Sequence, residues 1–382
     1  MSRLLTLTLM LLPLLTGGCG RDHLAVSEKE MSREGGALRV GAVLGERSDD
    51  AEFERAVVPR PFLFPDDHGA HPAFRSEWWY LTCVLVDEAG HEYGVQFTLF
   101  RQALPRRGTD QSDNPWTLKQ AWLAHFAVTD VRGSRHTGYE RLSRGHPALA
   151  GVMPTDLGSN DSAMRLFIDD WVMEIGQDTS SLSLSDGEWS AELSMAATLP
   201  VIPQGESGLS RKSADQASYY YSWPRLEITG SLIREGETIE VKGLGWFDHE
   251  WSTSVLSDGQ VGWAWFSLHL DDGRSLMVFR LRRTDGMRDP FDHGVLVERD
   301  GRYTPLAATD FQLEPQAEWK GPDGVIWPIE WVLALQDQKL RVSAAISDQR
   351  MLTRIPYWEG VVHAFGEEGE SKGSGYMELT GY

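Results

Sequence analysis

Acidic and histidine residues of this chain stand beside large aromatic residues in a few short blocks. The densest block is Trp246-Phe247-Asp248-His249-Glu250-Trp251, and the pairing of an acid with tryptophan recurs at Glu77 and at Glu359. A carboxyl group buried among rings has a raised pKa and can donate a proton, and ring faces can stabilise a cation. These residue types predict acid–base chemistry in a pocket for an unsaturated, apolar ligand.

The same blocks have a structural alternative. Large aromatic residues are buried on average, and a buried acid can be held by an arginine that points inward. Arg75, Arg101 and Arg225 are candidates for that role. The sequence leaves both possibilities open.

The spacing of Asp248, His249 and Glu250 limits how they could act together. In a strand, His249 would face away from the other two, whereas a tight bend would let all three converge. Burying them without partners would cost several kcal/mol, so we expect them to line a pocket and predict that they are catalytic. The predicted ligand-binding residues are the other acids, histidines and rings of the blocks: Glu77, Trp78, Trp79, His125, Tyr219, Tyr220, Trp251, Trp263, Trp265, Trp358 and Glu359.

Sequence signatures of several other chemistries are absent. The chain has no Gly-x-Ser-x-Gly elbow, no His-Glu-x-x-His motif, no Walker loop and no dinucleotide-binding fingerprint. Its eleven histidines show no pair at a metal-ligand spacing, so we expect neither a metal nor a cofactor. The formal net charge of −20 argues against nucleic-acid binding and against electrostatic docking on anionic lipid.

The first residues are typical of an export signal. Arg3 precedes an apolar run that is too short to span a bilayer as a helix. Thr16-Gly17-Gly18-Cys19 resembles a bacterial lipobox and predicts lipidation of Cys19, the alternative being a cleaved signal without lipid. Because Gly20 is not the aspartate that retains lipoproteins in the inner membrane, we expect an exported lipoprotein in the outer membrane, facing the periplasm. Cys83 is then the remaining thiol, and no intrachain disulfide is expected.

The rest of the chain divides into a polar segment and a long β-rich segment. Residues 20–60 contain few large apolar residues and predict a flexible tether. From there, short strand patterns alternate with glycine-containing turns, which favours barrels or sandwiches. Two predicted hairpins, at residues 79–101 and 265–282, share one pattern and suggest a duplication.

Several blocks, in the same order, resemble the AttH-type lipocalin-like family, to which carotenoid 1,2-hydratases are related. They are Phe74–Tyr80, Trp122–Asp130, Gly208–Ser210, Ala217–Leu226, Phe247–Trp251, Gly262–Leu270 and Gly375–Tyr382. The resemblance implies an all-β fold of two tandem lipocalin-like β-barrels, which we place at residues 61–235 and 236–382. We expect the blocks around Glu77 and His249 to occupy equivalent first strands of the two barrels.

The resemblance also implies a chemistry. Carotenoid 1,2-hydratases protonate a terminal carbon–carbon double bond and add water to the resulting cation. The His-x-Trp element of these enzymes matches His249 and Trp251, but many relatives have an aspartate where this chain has Ala264. If that aspartate is the family acid, its loss would remove hydratase activity.

Three functional hypotheses follow. The leading one is a lipid-anchored protein that binds a lipid or isoprenoid in a barrel mouth or between the barrels. The second is a hydratase or isomerase that uses Asp248, His249 or Glu250. The third is an accessory subunit of an envelope lipid or lipoprotein export system, with transporter subunits as partners.

Overall fold

The computed structural model describes residues 50–104, 118–156, 162–177, 179–335 and 338–382. The predicted signal, Cys19 and most of the predicted tether lie outside these residues. Within them, regular structure is β-strand apart from two short 3₁₀ helices at Asp50–Glu52 and Asp66–His68. No helix in this part of the chain is long and apolar enough to cross a membrane.

The first sheet is built from the strands that precede residue 253. They are β1 (Ser76–Asp87), β2 (Glu92–Ala103), β3 (Gln120–Asp130), β4 (Arg135–Arg144), β5 (Ala150–Asp156), β6 (Ser162–Ile168), β7 (Trp171–Ile175), β8 (Thr179–Asp186), β9 (Trp189–Ala197), β10 (Ile202–Pro203), β11 (Leu209–Arg211), β12 (Ala217–Arg234) and β13 (Glu237–Ser252). Their order is β4-β3-β2-β1-β13-β12-β9-β8-β7-β6-β5, with β10 and β11 paired to β12.

The second sheet is built from the remaining strands. They are β14 (Gln260–Leu270), β15 (Ser275–Arg283), β16 (His293–Val297), β17 (Tyr303–Ala307), β18 (Phe311–Lys320), β19 (Ile326–Leu335), β20 (Gln338–Ala344), β21 (Arg350–Met351), β22 (Tyr357–Phe365) and β23 (Ser371–Leu379). Their order is β17-β16-β15-β14-β23-β22-β20-β19-β18, with β21 paired to β22.

The two sheets form a nearly closed barrel and a half-barrel, consistent with two lipocalin-like barrels, so the predicted fold class is confirmed. We call the first sheet the first barrel and the second sheet the second barrel. Strand β13 pairs with both β1 and β12. Residues 237–252 therefore belong to the first barrel, and the second barrel begins at Gln260 and not at residue 236.

Both predicted hairpins are present and occupy corresponding places. Strand β14 lies between β15 and β23, as β1 lies between β2 and β13. The expected equivalence of the Glu77 and His249 blocks is wrong, because Trp79 lies opposite His249 on adjacent strands of one sheet. The counterpart of β1 in the second barrel is β14.

Strand β1 is buried on both faces. Alternate residues from Trp79 to Leu85 belong to the core inside the first barrel. Between them, Tyr80 and Val84 pack with Trp265 and Met277 of the second barrel. We call this shared layer the inter-barrel layer. The inside of the second barrel holds its own apolar core.

The chain that precedes β1 packs against the first barrel. The Glu54 backbone N–H donates to the Ala73 carbonyl at 2.9 Å, and Ala56 is buried in the core of the first barrel. Arg60 forms an ion pair with Asp67 at 2.6 Å. The predicted end of the tether at residue 60 is therefore wrong, since residues from Glu54 onward belong to the folded part.

Candidate active site between the two barrels

A pocket between the barrels is lined by side chains from both. The lining residues are Trp78, Tyr80, Thr98, Phe100, Lys212, Tyr220, Asp248, Glu250, Val255, Trp263, Trp265, Phe279 and Glu378. Its volume is about 50 Å³, which leaves room for a few water molecules. Aromatic walls with a few convergent polar groups are typical of small-molecule sites.

A larger groove, of about 410 Å³, lies beside the segment that precedes β1. It is shallow, and prolines and Phe62 make up most of its lining. Its one charged side chain is Arg60, which is already paired with Asp67. The groove therefore offers no chemistry comparable to that of the inter-barrel pocket.

Strand β13 divides its block of rings and acids between two faces. Asp248 and Glu250 line the inter-barrel pocket. His249 faces the inside of the first barrel, where its ring stacks on Trp79 at a centroid distance of 4.6 Å. The strand is regular here, with Asp248 opposite Tyr80, so the alternation expected for a strand is what the structure contains.

Asp248 is buried among hydrogen-bond donors. Its carboxyl accepts from the Tyr220 hydroxyl at 2.6 Å, from Trp246 Nε1 at 2.6 Å and from the Ser222 hydroxyl. Burial, reinforced by the nearby Glu250, raises the pKa of Asp248 to about 7 in spite of these bonds. Asp248 can therefore give or take a proton near neutral pH.

Glu378 and Glu359 lie opposite each other on β23 and β22. Glu378 accepts from Trp263 Nε1 at 3.0 Å, and burial together with the charge of Asp248 raises the pKa of Glu378 to about 7. Glu359 lies behind the pocket wall and accepts from the Tyr80 hydroxyl. Burial and the neighbouring Glu378 raise the pKa of Glu359 well above its ordinary value.

Glu250, the remaining acid of the pocket, has a cation beside it. Lys212 Nζ lies 3.0 Å from Glu250 Oε1 and 3.0 Å from the Ser210 hydroxyl oxygen. The same ammonium group lies 4.4 Å from the centre of the Phe279 ring. Among the described residues, Asp248, Glu359 and Glu378 have no such ion-pair partner.

His249 belongs to a second polar cluster, inside the first barrel. Glu77 accepts from Arg101 Nε at 2.7 Å, and it lies 2.7 Å from His71 Nδ1 and 3.0 Å from His249 Nε2. Both imidazole rings stack on tryptophans. Glu77, His249 and Arg101 are almost completely buried, so this cluster is part of the core.

The negative charge of Glu77 is compensated inside this second cluster. Burial alone would raise the pKa of Glu77, but the Arg101 guanidinium and the two histidines hold it well below its ordinary value. Burial lowers the pKa of His249 to about 4. His249 Nε2–H donates to Glu77, and Nδ1 lies 3.1 Å from the Tyr221 hydroxyl and 3.0 Å from the Asp67 carbonyl oxygen. The pKa of His71 is raised, because hydrogen bonds to two carboxyls outweigh its burial.

His71, Glu77 and His249 are also the described residues that could hold a metal ion, since their ligand atoms lie within 4.8 Å of one another. Arg101 and a protonated His71 already supply positive charge to Glu77. An ion would have to displace the proton that His71 Nδ1 donates to Glu77. The structural alternative, in which an inward-pointing arginine holds a buried acid, is therefore correct for Glu77 but not for Asp248 or Glu359.

The structure distributes the predicted site residues over four places. The residues that line the pocket are Trp78, Tyr220, Asp248, Glu250, Trp263 and Trp265. Behind the pocket, between the barrels, lie His125 and Glu359. The inside of the first barrel takes Glu77, Trp79, Tyr219, His249 and Trp251, and the core of the second barrel takes Trp358. The expectation that His249 lines one pocket with Asp248 and Glu250 is therefore wrong.

The prediction missed several pocket residues, above all Tyr80, Lys212 and Glu378. Glu378 could have been found from the alternation in β23, where Met377 and Leu379 face the core of the second barrel. Ala264 also faces that core. An aspartate at position 264 would point away from the inter-barrel pocket, so Ala264 removes no acid from it.

The family model for AttH-like proteins matches residues 55–382. This chain belongs to the AttH-like family. Among solved structures, a protein of Nitrosomonas europaea assigned to AttH superposes with a TM-score of 0.75 at 29% identity, over 85% of this chain and 100% of that chain. No curated protein sequence matches the chain.

Two more distant structures share the fold. Kievitone hydratase from Nectria haematococca has a TM-score of 0.58 at 14% identity, and the match covers 86% of this chain and 98% of the hydratase chain. CghA, in a structure with Sch210972, has a TM-score of 0.52 at 13% identity and covers 87% of this chain and 97% of its own. At such identities the likeness concerns the arrangement of the barrels alone.

Proposed function

We propose that this AttH-like protein is an acid–base enzyme that adds water to, or isomerises, a carbon–carbon double bond of an apolar ligand. The observation that supports this proposal is the pair Asp248 and Glu378. Both line an aromatic pocket, and burial raises the pKa of each to about 7. Carboxyls that titrate near neutral pH can act as both general acid and general base.

The reaction needs one carboxyl protonated and the other ionised. The acid transfers its proton to one carbon of the double bond, whose π electron pair forms the new C–H bond. The cation left on the other carbon faces the rings of Trp263 and Trp265. Water then forms the C–O bond and loses a proton to the carboxylate, or the cation loses a proton from a neighbouring carbon and the double bond moves.

The size of the pocket restricts how the ligand enters. A volume of about 50 Å³ is far below the roughly 300 Å³ or more of a site that encloses a drug-sized ligand. We propose that the reacting end of the ligand displaces water from the pocket while the remainder lies along its mouth. The fold that the chain shares with kievitone hydratase is consistent with this function, but at 14% identity the argument depends on the pocket.

The proposal is tested with unsaturated lipids and isoprenoids incubated in water labelled with heavy oxygen. We expect a product that carries one added labelled water or a displaced double bond, identified by mass spectrometry. Asp248→Asn and Glu378→Gln should each lower turnover by about 100-fold or more. Asp292→Asn is the matched control, because Asp292 is also buried, with its pKa raised to about 6, but lies outside the pocket.

Ligand binding without any product would contradict the enzyme and would leave the binding protein as the function. Turnover that survives in both Asp248→Asn and Glu378→Gln would show that the two carboxyls do not carry the chemistry. Extraction of lipid from protein purified out of its native envelope identifies which compounds to include.

We also propose that the protein is exported and lipidated at Cys19, which would anchor the chain to a membrane. The sequence around Cys19 supports this localisation. Labelling with an alkyne fatty acid should mark the wild type and leave Cys19→Ser unmarked. Equal labelling of the two proteins would contradict the anchor, and co-purification with transport subunits would favour the accessory role.

A further inference from the structure

Thr98 is a polar residue of the inter-barrel pocket to which the reaction above assigns no role. Its neighbours on β2, Phe97 and Leu99, belong to the core of the first barrel, whereas Thr98 lines the pocket. Thr98 is 2% exposed, and its hydroxyl oxygen has no hydrogen-bond partner within the described part of the chain. Because a buried hydroxyl without a partner is costly, we expect a molecule in the pocket to supply one.

The polar side chains beside Thr98 are engaged elsewhere. In the register of the sheet, Thr98 lies opposite Tyr80 on β1 and opposite His125 on β3. The Tyr80 hydroxyl donates to the Glu359 carboxyl. Both ring nitrogens of His125 have partners of their own, at 2.8 and 3.3 Å. The partner of the Thr98 hydroxyl must therefore come from the pocket.

The two walls of the pocket come from different barrels. Trp263 and Trp265, whose rings face the cation in the proposed reaction, belong to β14 of the second barrel. Thr98 belongs to the wall that the first barrel provides. A cation held against the two tryptophan rings exposes its other face to the first barrel. Water that attacks the cation must then come from the side of Thr98.

The other polar groups on this wall already have partners. The Tyr220 hydroxyl donates to Asp248 at 2.6 Å, and Glu250 lies 3.0 Å from Lys212 Nζ. The Thr98 hydroxyl can both donate and accept a hydrogen bond, so it can hold a water molecule in one orientation. The pocket, at about 50 Å³, has room for that water.

We propose that Thr98 positions the water that adds to the cation, and thereby decides between hydration and isomerisation. The inference rests on the proposed function. A lone pair of the held water forms the C–O bond, and one of the water protons passes to the ionised carboxyl of the pair Asp248 and Glu378. Without the held water, the same cation loses a proton from a neighbouring carbon, and the double bond moves.

The first test compares the products of turnover. Thr98→Val replaces the hydroxyl with a methyl group and keeps nearly the same shape. We expect the ratio of hydrated to isomerised product to fall at least tenfold while KM stays unchanged, and Thr98→Ser should restore the ratio. Thr129→Val is the matched control, because the buried Thr129 hydroxyl donates to Gln349 at 3.1 Å and lies outside the pocket.

The second test needs no ligand. A crystal structure of the wild type should contain an ordered water within about 3.2 Å of Thr98 Oγ1, on the pocket side. The same water should be missing from a crystal structure of Thr98→Val.

An unchanged product ratio in Thr98→Val would overturn the proposal. A raised KM with an unchanged ratio would also overturn it, since the hydroxyl would then bind the ligand and not the attacking water. A wild type without a water at Thr98, or one that forms the isomer alone, has the same consequence. A water at Thr98 combined with no turnover of any ligand would reject the proposed function, and the catalytic role of Thr98 with it, while the water site remains.

Discussion

The inside of the first barrel and the inter-barrel layer bury the same kinds of residue on opposite faces of the same strands, yet they treat acids differently. Inside the barrel, Glu77 has Arg101 and two histidines as partners. Between the barrels, Asp248 and Glu378 have neutral hydrogen-bond donors. The first arrangement keeps the carboxyl ionised, so it exchanges no proton near neutral pH. The second arrangement raises the pKa of the carboxyl to a value near neutral pH.

The difference teaches that burial alone does not decide what an acid does. Burial penalises the ionised form in both regions, and the outcome depends on whether a cation is buried with the acid. A buried ion pair is strongly destabilised when one partner is removed. A buried neutral acid tolerates the matching amide but loses its proton chemistry. The three predictions below separate these two behaviours.

The largest effect should come from removing the cation in the first barrel. Arg101→Met leaves the Glu77 carboxylate buried without its guanidinium, and we expect a loss of about 3–5 kcal/mol in the free energy of unfolding. Urea denaturation measures it. Arg302→Met is the control, because the Arg302 side chain is 80% exposed and the loss of its solvent-screened pair with Asp300 should leave the free energy of unfolding almost unchanged. Similar losses in both variants would contradict the contrast between buried and exposed pairs.

His249→Ala should come next. It removes a completely buried ring that stacks on Trp79 and donates to Glu77, and we expect a loss of about 3 kcal/mol. Ligand affinity per folded molecule should stay unchanged, because His249 lies outside the inter-barrel pocket. Melting temperature and lipid binding are measured together. A tenfold change in affinity with little change in melting temperature would place His249 at the ligand.

The smallest effect concerns pH. The pKa of Asp248 in the fold, about 7, lies above its ordinary 3.8, so the folded state binds an extra proton between these values and stability falls as pH rises through that window. Asparagine resembles the protonated acid: Oδ1 still accepts from Trp246 and Ser222, and the amide donates to the Tyr220 hydroxyl. Above pH 7 we expect Asp248→Asn to be more stable than the wild type, because only the wild type has lost the stabilising proton.

Below pH 4 the two proteins should have equal stability, which chemical denaturation across the pH range will check. An identical decline in both proteins between pH 4 and 7 would show that Asp248 is already ionised in the folded wild type. Such a result would remove the contrast with Glu77, whose lowered pKa makes stability fall in acid instead.

More of the fold than of the candidate site could be predicted from the sequence. Strand patterns and family resemblance predicted two barrels and both hairpins. The alternation of side chains along a strand also predicted that, if these residues lie in a strand, His249 faces away from Asp248 and Glu250. The sequence could not reveal that β13 returns to pair with β1, because that pairing joins residues far apart in the chain. Without it, Glu77 and His249 could not be placed together. Lys212 and Glu378 lie beside Asp248 because of packing that no local sequence pattern reveals.

Strands buried on both faces also limit the changes that this chain can tolerate. A shift of one residue in the register of β1 would turn Glu77 toward the other barrel and Tyr80 into the core, because neighbouring side chains point to opposite faces. The insertion of a single residue would thus remove Glu77 from its partner Arg101 and remove Tyr80 from the pocket wall. Substitution at every second position of these strands can therefore alter the pocket wall alone, whereas a change of strand length alters both faces at once.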